Sequence, residues 1–294
     1  MVQMPGASSQ LKPTPPGGPT SLISLGRCQV SRLIVGHNPP CGNSHLSGEL
    51  NDEMSAYFTT ANVLALYRRA EELGLGTFLV RGDPRMLHWL DLYRRSGGRM
   101  NVIAQTASEM PDIVANVRLL AGAGAAAIYH HGTQTDKFWQ QGRIDDCLPY
   151  LRAMRDCGVA VGLATHIPEV IAHAEARGWD VDFYLASLYN ISRVPRESLL
   201  VSGDAGAYAR EPYLEEDRRR MLAAIRATVK CVLAFKVLAA GRLCGSREGI
   251  QAAFDDAYAS IKPTDGVIVG MFPRDSDQVQ ADVEHAARAC RASG

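Results

Sequence analysis

The chain has 294 residues, with 31 lysines and arginines balanced by 31 aspartates and glutamates; 46% of residues are apolar and 21% charged. A zero formal charge excludes the broad basic field of a nucleic-acid binder, and apolar runs such as 123–129 are far too short to cross a bilayer. The length suits one domain of about 250 residues or two smaller ones.

The first 20 residues, MVQMPGASSQLKPTPPGGPT, are rich in Pro, Gly and Ser and lack the apolar core of a signal peptide. They are expected to be a disordered tail, with the domain proper over 21–294. The 7 cysteines are scattered and form no C-x-x-C pair, which argues against a disulfide framework or a zinc knuckle. A reduced, cytoplasmic setting is expected. The expected partner is a small-molecule substrate, not nucleic acid or membrane, and homo-oligomerisation is left open.

In chain order, short apolar runs of strand length occur at 31–35, 77–80, 101–104, 125–129, 159–163, 183–188, 231–238 and 266–269. They are continuous, as parallel strands covered on both faces are. Amphipathic segments lie between them. Thr59 or Thr60 can cap a helix that runs to Leu73 and stops at Gly74. Pro168 sits at the first turn of PEVIAHAEARG. The stretch 211–230 places acids early and bases late, as the helix dipole favours. Segments 246–260 and 277–292 read as two further helices. Eight strand–helix units predict an α/β fold, a single-domain (β/α)8 TIM barrel. The rival, a doubly wound open sheet, wants a Gly-rich first turn that GHNPPCGNSH does not supply.

In such a barrel the chemistry sits where strands run into the following loops. Nearly every run here ends in a polar or titratable residue: His37 and Asn38; Arg81 and Asp83; Gln105 and Thr106; His130 and His131; Thr165 and His166; Tyr189 and Asn190. Burying such groups costs free energy unless they are paired, so their convergence on one rim points to a site. His131 and His166 are candidate acid/base catalysts because imidazole titrates near neutral pH. Asp83 is a candidate base or orienter, or simply a turn-forming Asp before Pro84. His37, Arg81, Gln105 and Asn190 are candidates for holding substrate. His37, His131 and His166 could instead bind a divalent metal. Cys41 and His45 are expected in a loop that covers the site.

Lys236 lies inside the apolar run VLAFKVLAAGR and is expected to point into the barrel from a buried strand. There it would pair with an acid such as Asp83, hold an anionic substrate, or form an imine with a carbonyl. Gly241, Arg242, Gly270 and Arg274 follow the last two runs, where barrels commonly bind phosphate. His37, Arg81, His131, His166, Lys236, Arg242 and Arg274 together predict a locally positive mouth on a neutral protein.

Three stretches resemble aldo/keto reductases. SLISLGRCQVSRLIVG is similar to that family's opening hairpin and first strand. PEVIAHAEARGWDVDFYLASLYNISR is similar to its fifth helix and sixth strand, with Tyr189 and Asn190 as the terminal pair. IKPTDGVIVGMFPRDSDQVQADV is similar to its last strand and cofactor-phosphate loop. The resemblance implies the barrel, and NADP as a cofactor option. Of the family's Asp-Tyr-Lys-His tetrad only the histidine carries over, as His131. TFLVRGD lacks the Asp and Tyr, and Gln105 and Thr106 stand where the Lys would be. The expectation is therefore non-redox acid/base chemistry, of lyase, aldolase or isomerase type, on a small polar, anionic carbonyl or hydroxyl metabolite. NAD(P)H-dependent reduction and a histidine-liganded metal lyase or hydrolase are the alternatives.

Overall fold

The computed structural model describes residues 18–193, 199–203 and 211–292. Among the described residues there are ten strands: β1 (Leu22–Leu25), β2 (Cys28–Ser31), β3 (Leu33–Gly36), β4 (Thr77–Arg81), β5 (Asn101–Gln105), β6 (Ala127–His130), β7 (Ala160–Thr165), β8 (Phe183–Ser187), β9 (Cys231–Phe235) and β10 (Gly266–Gly270). β3 to β10 pair in sequence order, all parallel, and β10 returns to β3 to close an eight-stranded barrel. The helices are α1 (Gly48–Tyr57), α2 (Thr60–Glu72), α3 (Pro84–Arg95), α4 (Ile113–Gly122), α5 (Gly132–Gln140), α6 (Leu148–Asp156), α7 (Pro168–Ala176), the short α8 (Leu199–Ser202), α9 (Glu215–Ala227), α10 (Arg247–Ser260) and α11 (Gln278–Ala292). The chain is thus a (β/α)8 TIM barrel. No helix among the described residues is long and apolar enough to cross a membrane.

Strand alternation explains why the runs are apolar throughout. Ile34, Leu79, Ile103, Phe183, Leu185 and Leu233 point inward and form one buried cluster inside the barrel. Their neighbours Val35, Phe78, Val80, Val102, Val161 and Val232 point outward into a second cluster beneath the helices. Both faces are buried, so no polar alternation survives in the sequence. The antiparallel hairpin β1–β2 inserts Ile23, Leu25 and Val30 into the inner cluster, at the end of the barrel opposite the strand–helix loops.

Helix starts follow local chemistry. Thr59 accepts from the Asn62 N–H, Ser246 from the Gly249 N–H and Asp83 from the Met86 N–H. Each such cap is worth about 1 kcal/mol.

Three boundaries differ from expectation. Residues 1–17 of the expected tail lie outside the described residues, but 18–20 are tied to the barrel: the Pro19 carbonyl accepts from the Leu33 N–H at 2.8 Å. The first barrel strand starts at Leu33, two residues later than the apolar run at 31–35 predicts, because Ser31 ends the hairpin and Arg32 separates it from β3. β9 ends at Phe235, so Lys236 is outside the strand, with a left-handed φ of 62°.

Candidate active site

A cavity of about 120 Å³ opens at the C-terminal ends of the barrel strands, and all eight strands or their following loops contribute to its wall. Its apolar residues include Leu79, Leu185, Phe235 and Ile268; its polar ones include His37, His45, Gln105, His131, His166 and Lys236.

The best-defined chemistry belongs to His166, just beyond β7. Its Nδ1 lies 2.6 Å from Asp136 Oδ2, and its backbone N–H donates to Asp136 Oδ1 at 3.2 Å. The Thr165 hydroxyl donates to the same carboxylate at 2.6 Å. Asp136 sits on α5, 1% exposed. The carboxylate fixes the proton on Nδ1 and leaves Nε2 as the basic nitrogen, while the edge of Phe235 packs against the ring at 5.5 Å. Nothing in the sequence singled out Asp136. It adjoins Lys137 on a helix and reads there as ordinary surface charge; its burial beside β7 is a product of the barrel.

A second histidine–carboxylate pair stands on the opposite wall, four strands around the ring. His45, in the loop after β3, has φ 55° and places Nδ1 2.9 Å from Glu211 Oε1. Asn43 Nδ2 lies 3.2 Å from its Nε2, and Arg242 Nη1 donates to its carbonyl at 3.0 Å. The Arg242 guanidinium in turn lies 3.9 Å over the Tyr213 ring, whose hydroxyl donates to Glu211. The His45 loop therefore contributes to the cavity wall. Cys41, in the same loop, is buried, and desolvation pushes its thiol up to about 12, so it stays protonated at neutral pH.

His37 is 7% exposed and its Nδ1 has no hydrogen-bond partner. Burial, with the nearby Arg81 charge, lowers its pKa to about 3, so it is a neutral imidazole at physiological pH. His131 begins α5, and its N–H donates to Thr106 Oγ1 at 3.1 Å. Gln105 accepts from the Tyr129 hydroxyl at 3.0 Å. Lys236 reaches the cavity differently from expectation. Strict alternation turns Phe235 inward and the next residue outward; the left-handed backbone at 236 brings the lysine onto the cavity wall instead.

Several expected site residues are committed elsewhere. Asp83 caps α3 and pairs with Arg81 at 3.2 Å, away from Lys236 and off the cavity wall. Arg81 also pairs with Glu109 and does not line the cavity. Asn190 Oδ1 accepts from the Ser192 N–H at 3.1 Å, a local turn contact outside the cavity wall. His37, His131 and His166 share one cavity but do not assemble a ligand set: among the described residues no group of three His, Cys, Asp or Glu could hold a metal ion. His130 points outward, stacked on Tyr150 at 5.2 Å, and burial lowers its pKa to about 4.

A groove of about 770 Å³ adjoins the cavity, between the loops after β9 and β10 and helices α10 and α11. Gly241, Gly270 and Arg274 line it, where a phosphate, of a substrate or of NADP, was expected. The residues do not fit that group. Arg274 is held by Asp275 at 2.9 Å and Glu53 at 2.7 Å, and Arg242 by two backbone carbonyls. The groove carries Asp275, Asp277, Asp282 and Glu284 against Lys236, Arg247 and Arg274. A polyphosphate would meet more carboxylate than unengaged cation. The expected positive mouth is likewise moderated, because Asp136 backs one of its histidines, His166, and Asp83 and Glu109 pair with Arg81.

No protein-family model matches the chain, and no curated protein sequence matches it. Solved structures do. A truncated 3-deoxy-D-arabino-heptulosonate 7-phosphate synthase from Thermotoga maritima is 13% identical, with a TM-score of 0.53 over 92% of this chain and 89% of the other. An aldo-keto reductase from Bacillus halodurans is 11% identical, with a TM-score of 0.55 over 93% and 95%. The Yersinia pestis dihydropteroate synthase is 11% identical, with a TM-score of 0.51 over 92% and 96%. At these identities the likeness to the reductase extends no further than the likeness to the two synthases. What all three share with this chain is the (β/α)8 barrel.

Proposed function

We propose that this protein is an enzyme catalysing non-redox proton transfer, of lyase or isomerase type, on a small anionic carbonyl or hydroxyl metabolite. The observation that carries it is the Asp136–His166 pair at 2.6 Å on the cavity wall. A base held in one tautomer by a buried carboxylate is the arrangement general-base catalysis needs. His166 Nε2 takes a proton from the carbon beside the carbonyl, or from a hydroxyl. The Lys236 ammonium holds the oxygen on which charge develops. His131, two residues beyond the cavity-lining Tyr129, gives the product a second proton drawn from solvent, and the proton taken up by His166 is released to solvent. His37 stays neutral and donates or accepts a hydrogen bond without changing charge. Gln105 orients the substrate.

The test is hydrogen exchange in D₂O. The protein is incubated with 2-oxo acids, 2-hydroxy acids and ketose phosphates, and loss of C–H signal is followed by NMR. Deuterium incorporation that disappears in His166→Asn supports the proposal. Absence of exchange with every class, or exchange unchanged by His166→Asn, overturns it.

A further inference from the structure

In the groove beside the cavity, every carboxylate but one is matched by a cation. Arg274 holds Asp275 at 2.9 Å, Arg69 holds Asp277 at 2.8 Å, and Arg247 lies 3.5 Å from Glu284. Asp282, on α11, has neither a hydrogen bond nor an ion pair among the described residues, although it is 7% exposed and lines the same groove. Burial alone pushes its carboxyl up to about 7.

An isolated buried carboxylate is costly, and folds keep one only where something compensates it. Among the described residues nothing does. The groove residues nearest in kind are Cys244, a thiol; Arg247, committed to Glu284; and His285, whose Nδ1 lies 2.7 Å from Gln251 Oε1. The rest of the wall includes Leu50, Met54, Leu238, Ile250 and Phe272. The wall is more apolar than polar, Lys236 also lines it, and Asp282 is the one carboxylate set into it without a cation.

We infer that the groove binds a ligand carrying a protonated primary amine on an aliphatic chain, with Asp282 as the counterion of the ammonium. The ammonium supplies three N–H donors to a group that has none, and the methylenes cover Leu50, Met54 and Ile250. Groove and cavity share Asn38, Asn43, His45 and Lys236, so the far end of such a ligand reaches toward the cavity. The inference does not depend on proton transfer at His166: the amine site stands or falls on binding alone.

The test is calorimetric titration of the full chain at about pH 8 with 1,5-diaminopentane and spermidine as probes, with hexanoate and NADPH as anionic comparators. The expected result is 1:1 binding of at least one amine, weakened at least about tenfold (about 1.4 kcal/mol) in Asp282→Asn. Glu284→Gln retains binding. Asp282→Asn removes a buried charge, so its melting temperature stays at or above that of the wild type, which separates lost binding from lost fold. No amine binding at about 10 mM, equal binding by Asp282→Asn, or displacement of the amine by NADPH overturns the inference.

Discussion

Asp136 Oδ2 lies 2.6 Å from His166 Nδ1, although 30 residues, including α6 and β7, separate them along the chain. The pair is assembled by α5, which starts at the end of β6 and runs back along β7. This places a carboxylate under the next strand's terminal histidine. Neutralising that carboxylate has a definite consequence. In Asp136→Asn the amide can donate as well as accept, and the imidazole loses its fixed tautomer. Nitrogen-15 NMR of the His166 ring is expected to move from a single Nδ1–H form to a mixture. Deuterium exchange of substrate falls by about 10²- to 10⁴-fold. An unchanged ring spectrum would remove Asp136 from the mechanism.

Acid stability follows from two histidines buried as neutral rings. His37 is lowered to about 3 and His130 to about 4, while in the unfolded chain both titrate near 6.5. Between those values the unfolded state binds more protons, so stability is full above about pH 6.5 and is lost as pH falls toward 4. Urea unfolding from pH 7 to 4 should show this loss. His130→Gln, which lies outside the cavity, should flatten part of it.

Asp282 gives the opposite slope. Its folded pKa of about 7 exceeds the ordinary carboxyl value of 3.8. Between these the folded state holds the extra proton, so stability is fully present below about pH 4 and declines as pH rises through 7. The penalty reaches at most about 4 kcal/mol on the alkaline side. Thermal melts of Asp282→Asn and wild type should converge near pH 4, with the variant higher at pH 8. A wild type that is the more stable of the two at pH 8 would contradict an uncompensated carboxylate.

Lys236 sits at φ 62°, a conformation that costs a non-glycine residue roughly 1 kcal/mol. Lys236→Gly keeps that backbone and removes the cation. The variant is expected to melt at or slightly above the wild-type temperature while losing substrate exchange. If Lys236 forms an imine, borohydride trapping with a carbonyl substrate adds mass to the wild type and not to the glycine variant. A strongly destabilised Lys236→Gly would mean that the side chain serves the fold.

The barrel was legible because its strands are short apolar runs closed by capped helices, and local chemistry suffices for both. His131, His166 and Lys236 were legible as strand-end residues for the same reason. Asp136 and Glu211 were not. Each is an unremarkable acid in its own segment and gains meaning only when the ring of strands sets it against a histidine from elsewhere. Asp83 and Arg81 misled in the reverse direction: their rim position is real, but they pair with each other, Asp83 caps α3 and Arg81 also holds Glu109. Lys236 was found for the wrong geometric reason, since a left-handed residue, not strand alternation, turns it to the cavity.

The β1–β2 hairpin, with Ile23, Leu25 and Val30 seated in the inner cluster, makes the barrel a blind vessel. On the proposed function, reactant and product therefore enter and leave at the other end, where the His45 loop and the adjoining groove border the cavity. Turnover must therefore alternate: a product that lingers behind that loop inhibits by occupancy, and any water that restores the histidine protons has to come by the same route.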